Sequence, residues 1–357
     1  MTEISVQLVE KGKPKQPDNE LVFGKTFTDH MFLMDYEAGQ GWHDARIVPY
    51  GNLTMSPAAV VLHYGQTIFD GMKAFRTQDG RIAIFRTLDH LNRLNRSAEF
   101  VCIPKLDVEF IAKGLRQLIA LEKEWVPSNK GTALYIRPFV FATDALLGVS
   151  VASKYTYCVI LSPVGPYYAS GFKPVALKVE DVYVRAVKGG LGEAKTAANY
   201  AASLRAGEEA HKEGFGQVLW LDGVERKYVE EVGAMNIGFI IDGEFVTPSL
   251  SGTILDGITR RSVLTLAKDW GMKVHERRVA IEEVYEAHEK GKLQEVFSIG
   301  TAAVISPVSA LSWKGRKMVI NDGQVGPITQ KFFDAITGIQ QGRQEDKYGW
   351  LDVVAKI

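Results

Sequence analysis

Residues 188–200 read KGGLGEAKTAANY, and the role of Lys195 in this stretch decides what kind of protein the chain forms. The segment nearly matches the phosphate-loop pattern G-x-x-x-x-G-K-[ST], but Ala194 stands where that pattern has glycine. A lysine is also a covalent catalyst when its amine meets a carbonyl group, and the glycines at 189, 190 and 192 would give the backbone freedom for that approach. The stretch therefore predicts either a nucleotide-binding protein or a lysine-dependent enzyme.

The residues after Lys195 favour the second interpretation without excluding the first. TAANYAASLRAGEEAHKEG predicts an alanine-rich helix, whose positive N-terminal end disfavours a charged ammonium beside it. The phosphate-loop alternative gains support from VLWLD, residues 218–222, because an apolar strand ending in aspartate resembles a magnesium-binding motif. A strand running into the turn Asp222-Gly223 explains the same residues more simply.

The composition indicates a globular protein without a preference for polyanions. The chain has 357 residues, of which 46% are hydrophobic, and its 42 basic residues balance its 42 acidic ones. We therefore expect no nucleic-acid partner, no membrane partner and no membrane-spanning segment. The first 20 residues carry charges of both signs and no apolar core segment, so we expect no secretory signal there. Cys102 and Cys158 have no metal-ligand spacing, so we expect a cytoplasmic protein without a metal site.

The first half of the chain alternates short strands with helices. GMKAFR and RIAIFR flank the hairpin signal Gln78-Asp79-Gly80, and MFLMDY and ARIVPY flank a turn at residues 38–41. Apolar residues recur at helical spacing from residue 106 to 125, which predicts a helix packed on the sheet. The pattern predicts an α+β layer, with helices covering an antiparallel sheet.

The segment VGPYYASGFK shows no periodicity, and its glycines and proline indicate a linker. We accordingly predict a domain at residues 1–165, a linker at 166–175 and a second domain at 176–357. The second half again alternates strands with helices, at about 197–211, 260–270 and 281–290.

Four further motifs are candidates for a site, although each has an ordinary structural explanation. Two adjacent carboxylates, Glu230 and Glu231, precede an apolar strand, and Gly257-Ile258-Thr259 lies at a predicted helix start, where backbone N–H groups bind anions. Gly300-Thr301 follows an apolar strand, and Arg93 lies on a predicted helix. A solvated carboxylate pair, a helix cap and a surface arginine are the common alternatives.

Taken together, these segments resemble the branched-chain amino acid aminotransferases, which are fold type IV pyridoxal-phosphate enzymes. The resemblance runs from Phe23 to Pro307 and includes HYGQTIFDGMKAFR, FRTLDHLNRLNRSA, GGLGEAKTAANYAAS, EEVGAMN and LDGITRRS. It implies an α+β fold of two domains: a smaller N-terminal α/β sandwich and a larger C-terminal pseudo-barrel that binds the cofactor.

The resemblance also implies a role for each cofactor-binding residue. Lys195 would bond covalently to the aldehyde of pyridoxal 5'-phosphate and, once released, move the substrate proton. Glu231 would pair with the pyridine nitrogen, and Tyr200 would hydrogen-bond the 3-oxygen. The phosphate would be held by Arg93, Ile258, Thr259, Gly300 and Thr301.

The implied substrates are L-leucine, L-isoleucine or L-valine, with 2-oxoglutarate as the amino acceptor in a ping-pong reaction. The residues implied to form the substrate pocket are Phe23, Tyr64, Phe69, Tyr135, Arg137, Leu147, Val149, Ala234 and Ala302. Among them Arg137 would meet the glutamate side-chain carboxylate, and Leu147 and Val149 would reach the neighbouring subunit's site. The resemblance thus implies a homodimer with shared active sites. Ala234 departs from the threonine of the animal enzymes, so the resemblance implies that one hydroxyl contact near the substrate carboxylate is absent or replaced by backbone.

Four alternatives remain open from the sequence. A D-amino acid aminotransferase or an aminodeoxychorismate lyase would share the fold. A phosphate-loop nucleotide-binding protein would not, and a non-catalytic cofactor-binding protein would keep the cofactor without the reaction.

Overall fold

The computed structural model describes residues 3–165 and 172–356 of the chain. Within these residues the strands are β1 Ser5–Val6, β2 His30–Glu37, β3 Gly41–Pro49, β4 Thr67–Phe69, β5 Met72–Arg76, β6 Arg81–Phe85, β7 Ala133–Ala142, β8 Lys154–Val164, β9 Val175–Glu180, β10 Gln217–Leu221, β11 Val229–Val232, β12 Asn236–Ile241, β13 Glu244–Pro248, β14 Val274–Arg277, β15 Leu293–Gly300, β16 Val304–Trp313, β17 Arg316–Val319 and β18 Leu351–Lys356.

The α-helices of the described residues are α1 Val60–Tyr64, α2 Thr87–Phe100, α3 Val108–Leu121, α4 Ala197–Lys212, α5 Ile258–Asp269, α6 Ile281–Glu289 and α7 Pro327–Gln340. Short 3-10 helices occur at Asp18–Glu20, Lys123–Trp125 and Asn321–Gly323. In the part of the chain that the structure describes, no helix combines the length and the apolar character needed to cross a membrane.

The chain divides into two compact units. The first comprises Met1–Tyr167, Ala194–Ala197 and Gly338–Ile357, and the second comprises Tyr168–Glu193 and Ala198–Thr337. Residues 166–171 of the predicted linker lie outside the described residues, so the predicted domain limits stay a prediction. Two segments differ from the predicted division, because residues 194–197 and residues 338–357 belong to the first unit. In the second of these segments, β18 pairs with β6.

The first unit is built on a largely antiparallel sheet in the order β1-β3-β2-β8-β7-β5-β6-β18, with β4 paired to β7. Both predicted hairpins are present: β2 pairs with β3, and β5 pairs with β6 around Gly80, whose φ of 75° suits glycine. Only the short β1 runs parallel to its neighbour among the described strands of this sheet. Helices α2 and α3 cover the sheet, as the sequence predicts.

Helix α3 shows why the sequence pattern succeeds. Asp107 caps its first turn by accepting a hydrogen bond from the Phe110 N–H at 3.1 Å. Ile111, Leu115 and Leu118 recur at helical spacing and are fully buried against the sheet.

The second unit is built on a mixed sheet in the order β11-β10-β9-β16-β15-β12-β13-β14, with β17 paired to β16. Parallel pairs join β9 to β10, β9 to β16 and β13 to β14, and the remaining described pairs are antiparallel. The three helices expected here are found at α4, α5 and α6. The α+β class predicted from the sequence is therefore confirmed.

Candidate active site

The backbone around Lys195 is fixed to the edge strand β4 of the first unit. The carbonyl of Lys195 accepts a hydrogen bond from the Phe69 N–H at 3.0 Å, and its own N–H donates to Ser97 Oγ at 2.9 Å. The next residue, Thr196, donates its hydroxyl to the Thr67 carbonyl at 2.7 Å. Because α4 begins at Ala197, the lysine lies two residues before the helix, as predicted.

The Lys195 side chain contacts an aromatic and cationic cluster of the same unit. Its Nζ lies 4.9 Å from the centre of the Phe69 ring, and the Arg137 guanidinium lies 4.7 Å from the same centre. Arg137 Nη2 donates to Tyr135 Oη at 2.9 Å, and Phe23 packs edge-on against Tyr135 with ring centres 4.9 Å apart. The structure thus brings four of the predicted pocket residues together near the lysine.

Two features of this cluster indicate a place for a ligand. Arg137 Nε is buried and has no hydrogen-bond partner among the described residues. Gly71 lies so close to Tyr135 that a Cβ atom there would approach its hydroxyl to under 3.0 Å, so glycine is needed for Tyr135 to reach Arg137. A guanidinium held by an aromatic hydroxyl is suited to binding a carboxylate.

Tyr64, Leu147 and Val149 lie on the surface of the first unit. The Tyr64 hydroxyl donates to the Leu147 carbonyl, which ties α1 to the loop after β7. The exposed fractions are 44% for Tyr64, 65% for Leu147 and 82% for Val149. Two apolar side chains of one loop are therefore largely exposed, and the Tyr64 hydroxyl is bonded to the same loop.

Arg93 is buried in the first unit, so the alternative that it is an ordinary surface arginine is wrong. It donates two hydrogen bonds to Asp70, from Nε to Oδ2 and from Nη2 to Oδ1, both 2.8 Å long. Burial alone would raise the pKa of Asp70, but Arg93 and His90 hold that pKa well below its ordinary value. The sequence motif LDHLNRLNRS suggested the arginine but not Asp70, which is 23 residues away in sequence.

In the second unit, Glu231 is held by three different groups. Its Oε1 accepts hydrogen bonds from Asn236 Nδ2 at 3.2 Å and from the Leu255 N–H at 3.0 Å. Its Oε2 lies 3.2 Å from Arg185 Nε, in an ion pair whose side chains are 6% and 3% exposed. A carboxylate so fixed is preorganised to meet a positively charged partner.

Adjacent residues of a strand point to opposite faces of the sheet, which separates the two glutamates. Glu230 accepts a hydrogen bond from the Thr253 hydroxyl, and its other oxygen is buried without a hydrogen-bond partner among the described residues. Burial raises the pKa of Glu230. The choice of Glu231 rather than Glu230 as the functional carboxylate is consistent with this geometry and stays a prediction.

Arg185 is a residue that sequence reasoning missed. Besides its ion pair with Glu231, its Nη2 donates to the Thr253 carbonyl, so it joins three separate segments of the second unit. Its local sequence, VYVRAVK, carries no motif, and its partner Glu231 lies far along the chain, so no local signal could have identified it.

The predicted phosphate-binding segments of the second unit lie at a helix start and in a hairpin. Helix α5 begins at Ile258, and its N-cap residue Gly257 has no side chain with which to cap the first turn. Gly300, Thr301 and Ala302 lie at the turn from β15 into β16, which begins at Val304 with a φ of 63°. A β-branched residue rarely adopts this conformation, and such strain is concentrated at functional sites.

The two remaining predicted residues, Tyr200 and Ala234, differ in exposure. Tyr200 lies in the first turns of α4 and is half-buried, with its carbonyl accepting a hydrogen bond from Ser203 Oγ at 2.7 Å. Ala234 is exposed in the turn between β11 and β12.

The glycines before Lys195 do not all give the backbone the conformational freedom that the sequence predicts. Gly192 is buried, and a Cβ atom there would approach the Thr253 backbone to under 3.0 Å, so this glycine permits close packing. Gly189 adopts a φ of 82° with open space around it, so it serves a turn. The predicted freedom is therefore wrong for Gly192, which fixes the segment because only a residue without a side chain fits there.

The geometry of Asp222 argues against a phosphate-loop protein. Both of its carboxylate oxygens accept backbone hydrogen bonds, from the N–H groups of residues 224, 225, 227 and 228. Burial would raise the pKa of Asp222, but these four donors lower it below its ordinary value. The aspartate therefore organises the turn after β10, which is the simpler of the two interpretations.

The comparisons with known proteins agree with these observations. The family model described as amino-transferase class IV matches residues 67–311. The chain is 54% identical to the branched-chain-amino-acid aminotransferase 2 of Bacillus subtilis over 99% of this chain and 98% of that one. The solved structure of the Escherichia coli branched-chain amino acid aminotransferase is 28% identical, with a TM-score of 0.74 over 92% of this chain and 99% of that one.

A second solved structure shows a related protein with a small molecule. It is the branched-chain aminotransferase of the thermophilic archaeon Thermoproteus uzoniensis with norvaline, which is 26% identical with a TM-score of 0.77 and covers 91% of this chain and 100% of that one. The match extends over nearly the whole of each relative. The chain therefore belongs to the class IV aminotransferases, in the family of the branched-chain-amino-acid aminotransferases.

Proposed function

We propose that the protein transfers an amino group between L-leucine, L-isoleucine or L-valine and 2-oxoglutarate, with pyridoxal 5'-phosphate as cofactor. The observation that carries the proposal is the cluster of Lys195, Phe69, Tyr135 and Arg137 in a chain 54% identical to a branched-chain-amino-acid aminotransferase. This cluster offers an amine, an apolar wall and a guanidinium, which are the groups that a branched aliphatic chain and a second carboxylate require.

The donor groups of the chain fit the cofactor. Pyridoxal phosphate presents an aldehyde, a ring nitrogen that carries a proton and a phosphate dianion. Lys195 supplies the amine for the aldehyde, and the buried carboxylate of Glu231 is suited to the protonated nitrogen. The start of α5 offers backbone N–H groups without a side-chain cap, and Arg93 offers a buried guanidinium for an anion.

When bound, the cofactor supplies an aldehyde that forms covalent bonds with amines and a ring that accepts the electron pair released at the substrate α-carbon. Lys195 Nζ would hold the cofactor through its aldehyde, and the Lys195 amine would be the base that moves the proton of the substrate α-carbon. Glu231 would pair with the protonated ring nitrogen, and Tyr200 would hydrogen-bond the 3-oxygen. The residues that would hold the phosphate are Arg93, Ile258, Thr259, Gly300 and Thr301.

The substrate roles rest on the side chains that the first unit places together. Phe23, Phe69 and the ring of Tyr135 form apolar walls for a branched side chain. Arg137, oriented by the Tyr135 hydroxyl, binds the side-chain carboxylate of glutamate or 2-oxoglutarate. The Ala302 backbone and the Ala234 turn contribute to binding the α-carboxylate.

A homodimer with shared active sites is part of the proposal. The exposed apolar side chains of Leu147 and Val149, with Tyr64 bonded to the same loop, support a surface covered by a second copy. We further propose a cytoplasmic location, which the two free cysteines support because disulfides are rare in that compartment.

The test is the half-reaction of the purified protein with each amino acid, followed by the absorbance of the cofactor. We expect L-leucine, L-isoleucine and L-valine to convert the aldehyde form, and 2-oxoglutarate to restore it. Lys195→Ala abolishes both changes, whereas the matched control Lys188→Ala, in the same segment, retains them. A reaction with D-alanine alone, pyruvate release from aminodeoxychorismate, or a colourless protein that binds ATP with magnesium would each contradict the proposal.

A further inference from the structure

A cavity of the first unit, of about 290 Å³, lies at the end of β5. Three segments line it: residues 75–78, where β5 runs into its turn to β6, the loop at 127–132 before β7, and residues 341–343 after α7. None of the residues assigned to the reaction above lines it. The wall carries the three cations Arg76, Lys130 and Arg343, and all its other described residues are neutral.

Arg76 is the central feature of this cavity because its charge is partly buried. Its Nη2 donates to the Val126 carbonyl at 3.1 Å, while its Nε is buried without a hydrogen-bond partner among the described residues. Within the described chain, no carboxylate lies at ion-pair distance from it. A half-buried cation without a counter-charge is unfavourable, and an anion in the cavity would supply that charge.

Two carboxylates that contact residues of the wall are already engaged. Asp18 Oδ2 accepts hydrogen bonds from the N–H groups of Ser128 and Asn129, at 2.7 and 2.8 Å. Asp79 accepts hydrogen bonds from Thr77 Oγ1 at 2.5 Å and from Arg81 Nε at 2.6 Å. Neither aspartate lines the cavity, so the residues that line it include cations and no carboxylate.

The neutral part of the wall adds hydrogen-bond donors. Gln341 accepts from Arg343 Nε at 3.0 Å through its side-chain oxygen, which leaves its amide N–H₂ group as a donor. Gln78 and Asn129 contribute further amide groups. Guanidinium, ammonium and amide donors in a wall without acidic residues are suited to an anion with several oxygens.

We propose that this cavity binds a small dianion, either a phosphate monoester or a dicarboxylate, with Arg76 as its central ligand and Lys130 and Arg343 at its mouth. Arg76 provides the planar fork that pairs with two oxygens, and the exposed Lys130 adds charge without a fixed geometry. Anion binding at this site does not depend on the proposed aminotransferase reaction, because the residues that line the cavity are separate from those assigned to that reaction.

The test uses the cofactor-loaded protein at constant ionic strength, with inorganic phosphate and malonate as separate probes. Loading the cofactor first keeps inorganic phosphate away from the residues that hold the cofactor's own phosphate. We expect at least one probe to raise the melting temperature in a saturable way, and to slow amide hydrogen exchange in peptides covering 75–80 and 126–132. Because malonate can also raise the melting temperature through the proposed substrate site, the exchange of these peptides makes the assignment. Slower exchange in them with phosphate alone assigns a phosphate ester, and with malonate alone a dicarboxylate.

Three variants locate the binding. Arg76→Gln weakens the apparent affinity about tenfold or more, because it removes a charge-assisted contact. Lys130→Gln weakens it less, and Lys113→Gln, an exposed lysine of α3, responds like the unchanged protein. If Arg76→Gln is not folded, Arg76→Lys replaces it, with a weakened but measurable response expected. No saturable response to either probe, or an equal response in the Arg76 and Lys113 variants, would overturn the proposal.

Discussion

Arg93 on α2 and Asp70, which follows β4, form a two-point ion pair in the interior of the first unit. The Nε–Oδ2 and Nη2–Oδ1 distances are both 2.8 Å, and His90 Nδ1 lies 2.8 Å from the same Oδ1. All three residues are at most 3% exposed. The guanidinium proposed to bind a phosphate is therefore fixed in place by a carboxylate before any ligand arrives.

Removing this carboxylate tests the ion pair. We expect Asp70→Asn to lower the free energy of unfolding by about 3–5 kcal/mol, because it leaves a buried guanidinium without its counter-charge. Urea unfolding of the cofactor-free protein measures the change. A loss below about 1 kcal/mol would show that the pair behaves like an exposed one.

His90 makes the stability dependent on pH. Burial lowers the pKa of His90, although Asp70 opposes the shift, so the folded protein keeps the ring neutral where the unfolded chain protonates it. The contribution of His90 to the free energy of unfolding is therefore complete above about pH 6.5, the pKa of a histidine in the unfolded chain. It decreases below that pH, by up to about 1.4 kcal/mol per pH unit. His90→Gln retains a donor for Asp70 and should flatten this part of the stability curve. Parallel curves for the two proteins between about pH 5 and 8 would contradict the prediction.

Gly71→Ala tests the link between Tyr135 and Arg137. The added Cβ atom displaces the Tyr135 hydroxyl, so Arg137 loses the partner that orients it. We expect the half-reaction with L-glutamate to slow about tenfold or more, and the half-reaction with L-leucine to change less. Tyr135→Phe, which removes only the hydroxyl, serves as the matched variant and should show the same selectivity. Equal losses for both amino acids would argue against a carboxylate-binding role of Arg137.

Gly257→Ala tests the support of Glu231. A Cβ atom at Gly257 would meet Asn236 Oδ1, and Asn236 Nδ2 is the donor to Glu231 Oε1. We expect a stability loss of about 1–3 kcal/mol and weaker retention of the cofactor on dialysis. Gly207→Ala is the control, because Gly207 lies in α4 with open space around it and alanine favours a helix by about 0.5–1 kcal/mol. Unchanged cofactor retention in Gly257→Ala would contradict the role of Asn236 in holding Glu231 for the cofactor.

The ion pair of Arg185 and Glu231 should be strongly coupled. A double-mutant cycle with Arg185→Gln and Glu231→Gln, measured by unfolding of the cofactor-free protein, should give an interaction energy of about 1–3 kcal/mol. The exposed pair of Arg278 and Glu225, with side chains 53% and 47% exposed, gives a comparison expected at about 0–1 kcal/mol. Equal coupling in the two cycles would show that burial adds nothing to the Arg185 pair.

Local patterns were sufficient to predict most of the elements. Helix α3 and the hairpin of β5 and β6 follow from short-range features, namely a helical repeat, an N-cap and a turn glycine, which neighbouring residues alone determine. The prediction did not include α7 or β18. Strand β18 is stabilised by its pairing with β6, which lies far earlier in the chain, and no local pattern indicates such a partner.

The candidate site divides in the same way. Motifs pointed to Lys195, Glu231 and Arg93 because a reactive amine, a carboxylate pair and a helical arginine are visible in a linear chain. Asp70 and Arg185 were not identified, because each matters through its contact with a residue distant in sequence. Gly71 was not identified, because it matters by leaving room for Tyr135 that a side chain would occupy.

The sequence by itself determined the family and the α+β class, since these depend on ordered motifs and on periodicity along the chain. The same motifs predict Lys195 as the reactive lysine. Only the tertiary structure decided which partners hold those residues. It paired Arg93 with Asp70 and Glu231 with Arg185, and it made Gly192 a site of close packing. The physical reason is that burial, ion pairing and steric fit depend on distances in space, which the order of residues along the chain does not specify.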